Sequence, residues 1–132
     1  MNAAGRRARY VNDSIATASP QRLLVMLYDR LEHDLAKAEE ALRAGDRGAA
    51  GPLLARAQEI VLELHGSLRC DVWTGATALA ALYSFLVTEL LRSGAEGSPE
   101  RVAGCRELVA PLADAWRQAA LGGSVEPLQA SA

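Results

Sequence analysis

The chain has 132 residues and a formal net charge of −2, and half of its residues are apolar whereas only 5% are aromatic. This length fits one domain with a single hydrophobic core, and the abundance of alanine and leucine favours helices over sheets. The near-zero charge gives no electrostatic reason to expect a nucleic-acid partner or an anionic membrane surface.

The first residues are basic, as they are at the beginning of a signal peptide, but no apolar stretch follows residues 1–9. Residues 72–88 carry no charge. They nevertheless contain several polar side chains and fall short of the ~20 apolar residues that a membrane-spanning helix needs. The sequence therefore predicts a cytoplasmic protein that does not insert into a membrane.

Residues 1–18 are predicted to form a short N-terminal arm or cap helix ahead of the main domain. They are mostly polar, with isolated apolar side chains at Tyr10, Val11 and Ile15. Ser19-Pro20 then indicates the start of a helix, and Ser98-Pro99 repeats this signal further along the chain. The serine can accept hydrogen bonds from unpaired backbone N–H groups, and proline lacks one of those groups.

Residues 19–120 are predicted to form an antiparallel four-helix bundle, so the fold class is all-α. Apolar side chains recur at alternating steps of three and four in four segments, at about residues 20–42, 49–69, 73–93 and 99–119. In each segment they form a seam, which runs from Leu24 to Leu42 in the first and includes Leu112 in the last. Short connections make each helix run back beside its predecessor. Residues 121–132 lack this periodicity and are predicted to be a disordered tail.

Two prolines fall inside the predicted helices. Pro111 should kink the last helix, because it removes one hydrogen bond and crowds the carbonyl four residues earlier. Pro52 leaves two possibilities open: the second helix starts there, or a looser first turn from Asp46 is broken there. Gly45 is predicted to be the residue that follows the C-cap of the first helix.

Catalytic and metal-binding patterns are missing from the sequence. No glutamate has a histidine three residues later, as the ligand pairs of a di-iron bundle require. The two histidines and the two cysteines, Cys70 and Cys105, have no close metal-ligand spacing. There is no glycine-rich phosphate loop and no nucleophile elbow. We therefore predict no enzyme activity, cofactor or metal. A di-metal or cofactor-binding four-helix enzyme is kept as the alternative.

The apolar side chains exceed what one bundle seam can bury. The consecutive apolar residues Leu23–Tyr28 fan around the whole first helix, and Ile60 lies beside the seam of the second. Phe85 and Leu91 lie outside the seam of the third helix. Such helices either lie inside a larger core or offer a groove to a partner. A structural homodimer that buries this surplus against a second copy is a further alternative.

Five matches, in order and at compatible spacing, identify a family. The clearest is Ala-Ser-Pro-Gln-Arg-Leu-Leu-Val-Met-Leu-Tyr-Asp at residues 18–29, with Tyr10 upstream of it. The others are residues 56–64, 79–91 and 112–118. Together they resemble the flagellin-specific export chaperone family (FliS). Arg30 replaces the glycine that this family has after the first motif, and Pro52 and Pro111 are unusual in it.

The resemblance implies a cytoplasmic chaperone that binds the C-terminal segment of flagellin, prevents its premature polymerisation and assists its secretion. Components of the export machinery are further candidate partners. The resemblance also implies that Tyr10 is part of a cap over the binding groove, and Val11 and Ile15 are the other apolar positions of the same arm.

Partner contact is predicted for further residues on the first two helices of the bundle. Leu23 and Leu27 lie one turn apart and off the seam, and Ile60 is similarly displaced from the seam of its helix. The predicted set is completed by Ala57 and Leu64, within the segment that matches the family at residues 56–64. Because an unfolded segment must be ordered on binding, the contact is expected to be extended.

Overall fold

The computed structural model describes residues 19–68 and 75–122, and four helices make up nearly all of these two ranges. They are α1 (Pro20–Arg43), α2 (Arg47–Gly66), α3 (Gly75–Glu96) and α4 (Pro99–Gly122). Both α1 and α3 pack against α2 and α4, so the four helices follow one another around a square. The predicted all-α antiparallel four-helix bundle is confirmed.

Two serine caps begin helices where the sequence predicted them. The Ser19 hydroxyl accepts a hydrogen bond of 3.2 Å from the backbone N–H of Arg22, and α1 starts with the proline that follows Ser19. The Ser98 hydroxyl accepts a bond of the same length from Arg101. Gly45 follows the C-cap of α1 with φ 75°, as predicted. A positive φ here suits glycine, which has no Cβ to clash.

Both predicted beginnings of α2 are wrong. This helix starts at Arg47 and continues through Pro52 without a break. A carboxylate oxygen of Asp46 accepts a hydrogen bond of 3.0 Å from the N–H of Ala49, which caps the first turn ahead of the proline. The cap stabilises a turn that the local sequence alone makes unfavourable. The predicted end of α2, near residue 69, is also about one turn too late, because the helix ends at Gly66.

The last helix continues through Pro111 and includes Leu121 and Gly122, so it reaches past the predicted start of the tail. Ala113 is fully buried, whereas Leu112, which the heptad pattern placed in the seam, is only partly buried. A straight helix has 3.6 residues per turn and drifts from a strict heptad, which accounts for this shift. The division into arm, bundle and tail stays a prediction, and Tyr10, Val11, Ile15 and Cys70 lie outside the described residues.

The core consists of the inward side chains of all four helices and contains one buried carboxylate. Asp34 on α1 is fully buried and accepts two hydrogen bonds, of 2.9 and 2.7 Å, from the guanidinium of Arg56 on α2. Arg30, one turn before Asp34, approaches the same carboxylate at 3.6 Å. A buried charge needs such partners, because an unpaired one would be strongly destabilising. This ion pair therefore holds α1 and α2 in one register.

A second arginine closes the connection between α3 and α4. Arg47, the first residue of α2, donates hydrogen bonds of 2.7 and 3.4 Å to the carbonyls of Ala95 and Gly94 at the end of α3. Gly97 then turns the chain with φ 66°. A Cβ atom at Gly97 would lie only 2.7 Å from Nε of Arg47. The glycine thus serves both the turn and the close approach of the arginine.

Candidate partner-binding surface

Large apolar side chains that remain exposed mark the surface most suited to a partner. The most exposed ones within the described residues are Met26, Leu62, Phe85, Leu91, Leu108 and Leu121. Phe85 and Leu91 lie on α3, and Leu62 and Leu108 lie on the two helices that pack against it. Phe85 is 50% exposed and Leu91 57% exposed. Of these exposed residues, Phe85 and Leu108 border the same groove, and exposed apolar side chains that lie together typically mark an interaction site.

Phe85 and Leu108 line a groove between α3 and α4 with a volume of about 430 Å³. A Cβ atom at Gly104 would have no neighbour within 4 Å outside its own helix backbone, so the groove is open at this residue. Cys105 borders the groove as a free, buried thiol. Burial, together with the charge of Glu89, raises the pKa of this thiol to about 11, which keeps it neutral at pH 7.

Charged residues occupy one end of the α3–α4 groove. Arg101 donates hydrogen bonds of 2.9 and 3.1 Å to Glu89 and one of 2.6 Å to Glu96. The opposite end is different, because α3 carries no charged residue from Gly75 to Thr88. The groove therefore combines an uncharged, apolar length with a polar end. An amphipathic helix with a matching pattern fits such a groove.

A second groove lies between α1 and the end of α4, with a volume of about 490 Å³. Its apolar lining includes Val25, Met26 and Leu121. Arg117 borders it and donates hydrogen bonds to Asp29 (2.7 Å) and Glu32 on α1 and to Asp114 (3.0 Å) on its own helix. The bonds to Asp29 and Glu32 raise the pKa of the Arg117 guanidinium. The side of this groove is thus fixed by ion pairs between two helices.

The structure places the predicted contact residues closer to the core than to the surface. Leu23 and Leu27 are half-buried, and Leu27 packs against the core. On α2, Ile60 is only 6% exposed, and Ala57 and Leu64 are fully buried. In the bundle as it stands, the exposed apolar groove lies beside α3, whereas these residues lie on α1 and α2. Their contact with a partner stays a prediction.

Sequence reasoning found part of the exposed surface. It singled out Phe85 and Leu91 as apolar residues outside the seam, but it did not assign them to the binding site. Leu108 and Gly104 were missed, although both also lie outside the seam of α4. The usable signal was an apolar side chain and a glycine one turn apart on the exposed side of the same helix.

In residues 19–68 and 75–122, no three histidine, cysteine or acidic side chains are grouped so that they could hold a metal ion. None of the helices in these ranges is long and apolar enough to cross a lipid bilayer.

Comparison with known proteins assigns the family. Residues 1–122 match the family described as flagellar protein FliS. The flagellar secretion chaperone FliS of Salmonella typhimurium is 30% identical over 112 residues, which cover 82% of this chain and 82% of the relative. The protein of the same description from Bacillus subtilis is 27% identical over 110 residues, covering 83% and 82%.

A solved structure supports the fold. The crystal structure of a bacterial flagellar chaperone superposes with a TM-score of 0.71 at 21% identity, and the match covers 93% of this chain and all of the other. At that identity the likeness concerns the fold alone, whereas the sequence matches concern the family. The chain therefore belongs to the FliS family, whose members are flagellar secretion chaperones and not enzymes.

Proposed function

We propose that this chaperone acts in the cytoplasm, where it binds the C-terminal segment of flagellin, prevents premature polymerisation and assists secretion. The observation that carries the proposal is the open apolar groove between α3 and α4, with Phe85 and Leu108 exposed along it. Membership of a family of secretion chaperones supports a protein as the occupant of this groove. The resemblance described above supports flagellin as that protein.

The physical basis is the transfer of apolar side chains from water into a shared interface. A flagellin segment that becomes helical on binding would place one apolar face against Phe85, Leu108 and the open space above Gly104. Its polar face would stay in water. Because ordering a disordered segment costs several kcal/mol, contacts along the groove must together exceed that cost. Holding the segment in this way keeps it from pairing with other flagellin molecules.

The predicted residues on α1 and α2 extend the proposal to the other side of the bundle. Leu23 and Leu27 are accessible enough to contact a segment that continues across α1. Ala57, Ile60 and Leu64 can touch a partner only if the bundle opens locally, because they are buried. We keep these contacts as part of the proposed interface.

The arm belongs to the same proposal. We propose that residues 1–18 compete with flagellin, with Tyr10, Val11 and Ile15 as the apolar side chains that touch the groove. If the arm covers the groove part of the time, the apparent affinity for the partner is the intrinsic affinity multiplied by the fraction of time that the groove is open.

Titration calorimetry with purified protein tests the proposal. Intact monomeric flagellin should bind with a stoichiometry of one to one, and flagellin that lacks its last ~40 residues should not bind, as coupled folding of that segment requires. An isolated C-terminal peptide should bind by itself. Equal binding of intact and truncated flagellin would refute the assignment of the segment. Sizing of the free protein tests the homodimer alternative, because a stable dimer that dissociates only at high dilution would favour it.

A further inference from the structure

Pro111 divides α4 into two parts that are held to the bundle in different ways. It has no backbone N–H, so the carbonyl of Glu107 receives no helical hydrogen bond from it. The helix nevertheless continues from Pro99 to Gly122. We call residues 111–122 the α4 end. The missing bond weakens the helix at the junction before the α4 end.

The α4 end contributes few large apolar side chains to the core. Its buried side chains are Ala113, Trp116 and Ala119, and Leu112 is partly buried against the core. Leu121, near the end of the helix, is 87% exposed. Since the stabilisation from burial scales with apolar area, Trp116 and Leu112 supply most of the hydrophobic attachment of this segment.

Ion pairs supply the rest of the attachment. Arg117 donates bonds of 3.1 and 2.7 Å to Asp29 and a further bond to Glu32, and both of these carboxylates belong to α1. The side chains of Arg117 and Asp29 are 37% and 54% exposed. Pairs at this exposure weaken when salt screens them. The attachment of the α4 end to α1 is therefore sensitive to ionic strength.

We propose that the α4 end opens as a unit about Pro111 and that Arg117 is the latch that holds it closed. Opening withdraws Trp116 from its place in the core beside the hydroxyl of Tyr28. It also uncovers Val25 and Met26, which line the α1 side of the groove beside Arg117. The latch thus controls access to an apolar strip of α1 that the closed bundle covers in part. The proposal concerns the free chain and does not depend on which segment the chaperone binds.

Hydrogen exchange of the full chain, followed by mass spectrometry, tests the latch. Arg117→Gln removes the charge of the side chain but keeps it unbranched and polar. We expect exchange at residues 112–122 to become roughly fivefold faster, while residues 102–110 change little. Arg106→Gln is the matched control, because Arg106 bonds to Glu39 on α1 at 2.7 Å from the other part of α4. The control should leave the α4 end unchanged.

The hinge and the salt dependence give two further readouts. In the wild-type chain, raising the salt concentration to about 1 M, where the Debye length is ~3 Å, should accelerate exchange at residues 112–122 alone. Pro111→Ala should slow exchange at residues 112–122, because the new N–H group restores the missing helical hydrogen bond. The proposal is overturned if all of α4 exchanges at one rate in every variant, or if Arg106→Gln matches Arg117→Gln. If Arg117→Gln unfolds the bundle, the wild-type salt series tests the proposal instead. Equal acceleration of exchange along all of α4 at high salt would then overturn it.

Discussion

The side-chain hydroxyls of Tyr28 on α1 and Tyr83 on α3 share a hydrogen bond of 2.5 Å across the centre of the bundle. Both side chains are almost completely buried. Trp116 on α4 lies beside the Tyr28 hydroxyl, and the ring of His65 on α2 lies 6.2 Å from that of Tyr83. Desolvation by burial raises the pKa of both tyrosines. Side chains from all four helices thus lie around this shared hydrogen bond.

Tyr28→Phe should destabilise the bundle, because it removes one of the two hydroxyls that share the buried hydrogen bond. We expect a loss of about 1 kcal/mol in the free energy of unfolding, measured by urea titration. Tyr83→Phe breaks the same bond from the other side and should also destabilise the bundle. The double variant should show a coupling of about 1 kcal/mol. Purely additive losses would mean that the two hydroxyls do not stabilise each other.

Phe85→Ser should weaken binding of the flagellin C-terminal segment without unfolding the protein. The side chain is half-exposed in the free bundle, so its loss costs the core little, whereas a bound segment would cover it. We expect the dissociation constant, measured by calorimetry, to rise about tenfold, which corresponds to 1.4 kcal/mol. Leu121→Ser, which alters the groove between α1 and α4 instead, is the control and should bind as the wild type does.

Gly104→Leu should block the same groove by filling it. A Cβ at this position has no neighbour within 4 Å outside its own helix backbone, so the new side chain starts in the open space of the groove. Helix α4 should become slightly more stable, because glycine is a poor helix former. Gly48→Leu is the matched control, since Gly48 is an exposed glycine of α2 with no contact closer than 3.6 Å. Undiminished flagellin binding by Gly104→Leu would place the interface elsewhere.

Gly97→Ala should destabilise the connection between α3 and α4. The positive φ of 66° is strained for alanine, and the added methyl group displaces Arg47 from the carbonyls at the end of α3. We expect the free energy of unfolding to fall by at least about 1 kcal/mol. Gly48→Ala serves as the comparison and should be neutral or stabilising, because Gly48 lies inside a helix without a positive φ. Thermal and urea unfolding of both variants measure the difference.

Cys105 should make the bundle less stable in alkaline solution. The thiol of the unfolded chain ionises near pH 9, whereas burial in the folded state raises the pKa to about 11. Below pH ~8.5 both states are protonated and the full stability is present, and stability falls as pH rises through 9 toward 11. In a Cys70→Ser background, the free energy of unfolding should be about 1.4 kcal/mol lower at pH 10 than at pH 8 from this thiol. Adding Cys105→Ala should remove that part of the loss. If the free energy of unfolding still fell equally between pH 8 and pH 10, the loss would not come from the Cys105 thiol.

Local sequence features were sufficient for the helices and for most of the seam. Ser19 and Ser98 cap helices in the structure as the pattern predicted, because a cap depends on residues only three positions apart. The seam of α1 follows the predicted apolar positions from Leu24 to Leu42. Where prediction failed, as at Pro52 and Leu112, the outcome depended on the cap supplied by Asp46 and on the exact winding of α4.

The sequence by itself determined the fold class and the family, because both rest on periodicity and on short motifs that can be read along the chain. Only the tertiary structure decided which surplus apolar residues face water. Ile60 is buried against neighbouring helices while Phe85 stays half-exposed, although both lie outside a seam. It also decided that Asp34 finds Arg56 on another helix. Whether a side chain is exposed or paired depends on how closely the adjacent helices approach and on the side chains that they present. The spacing of residues along one helix does not determine the distances between residues on different helices.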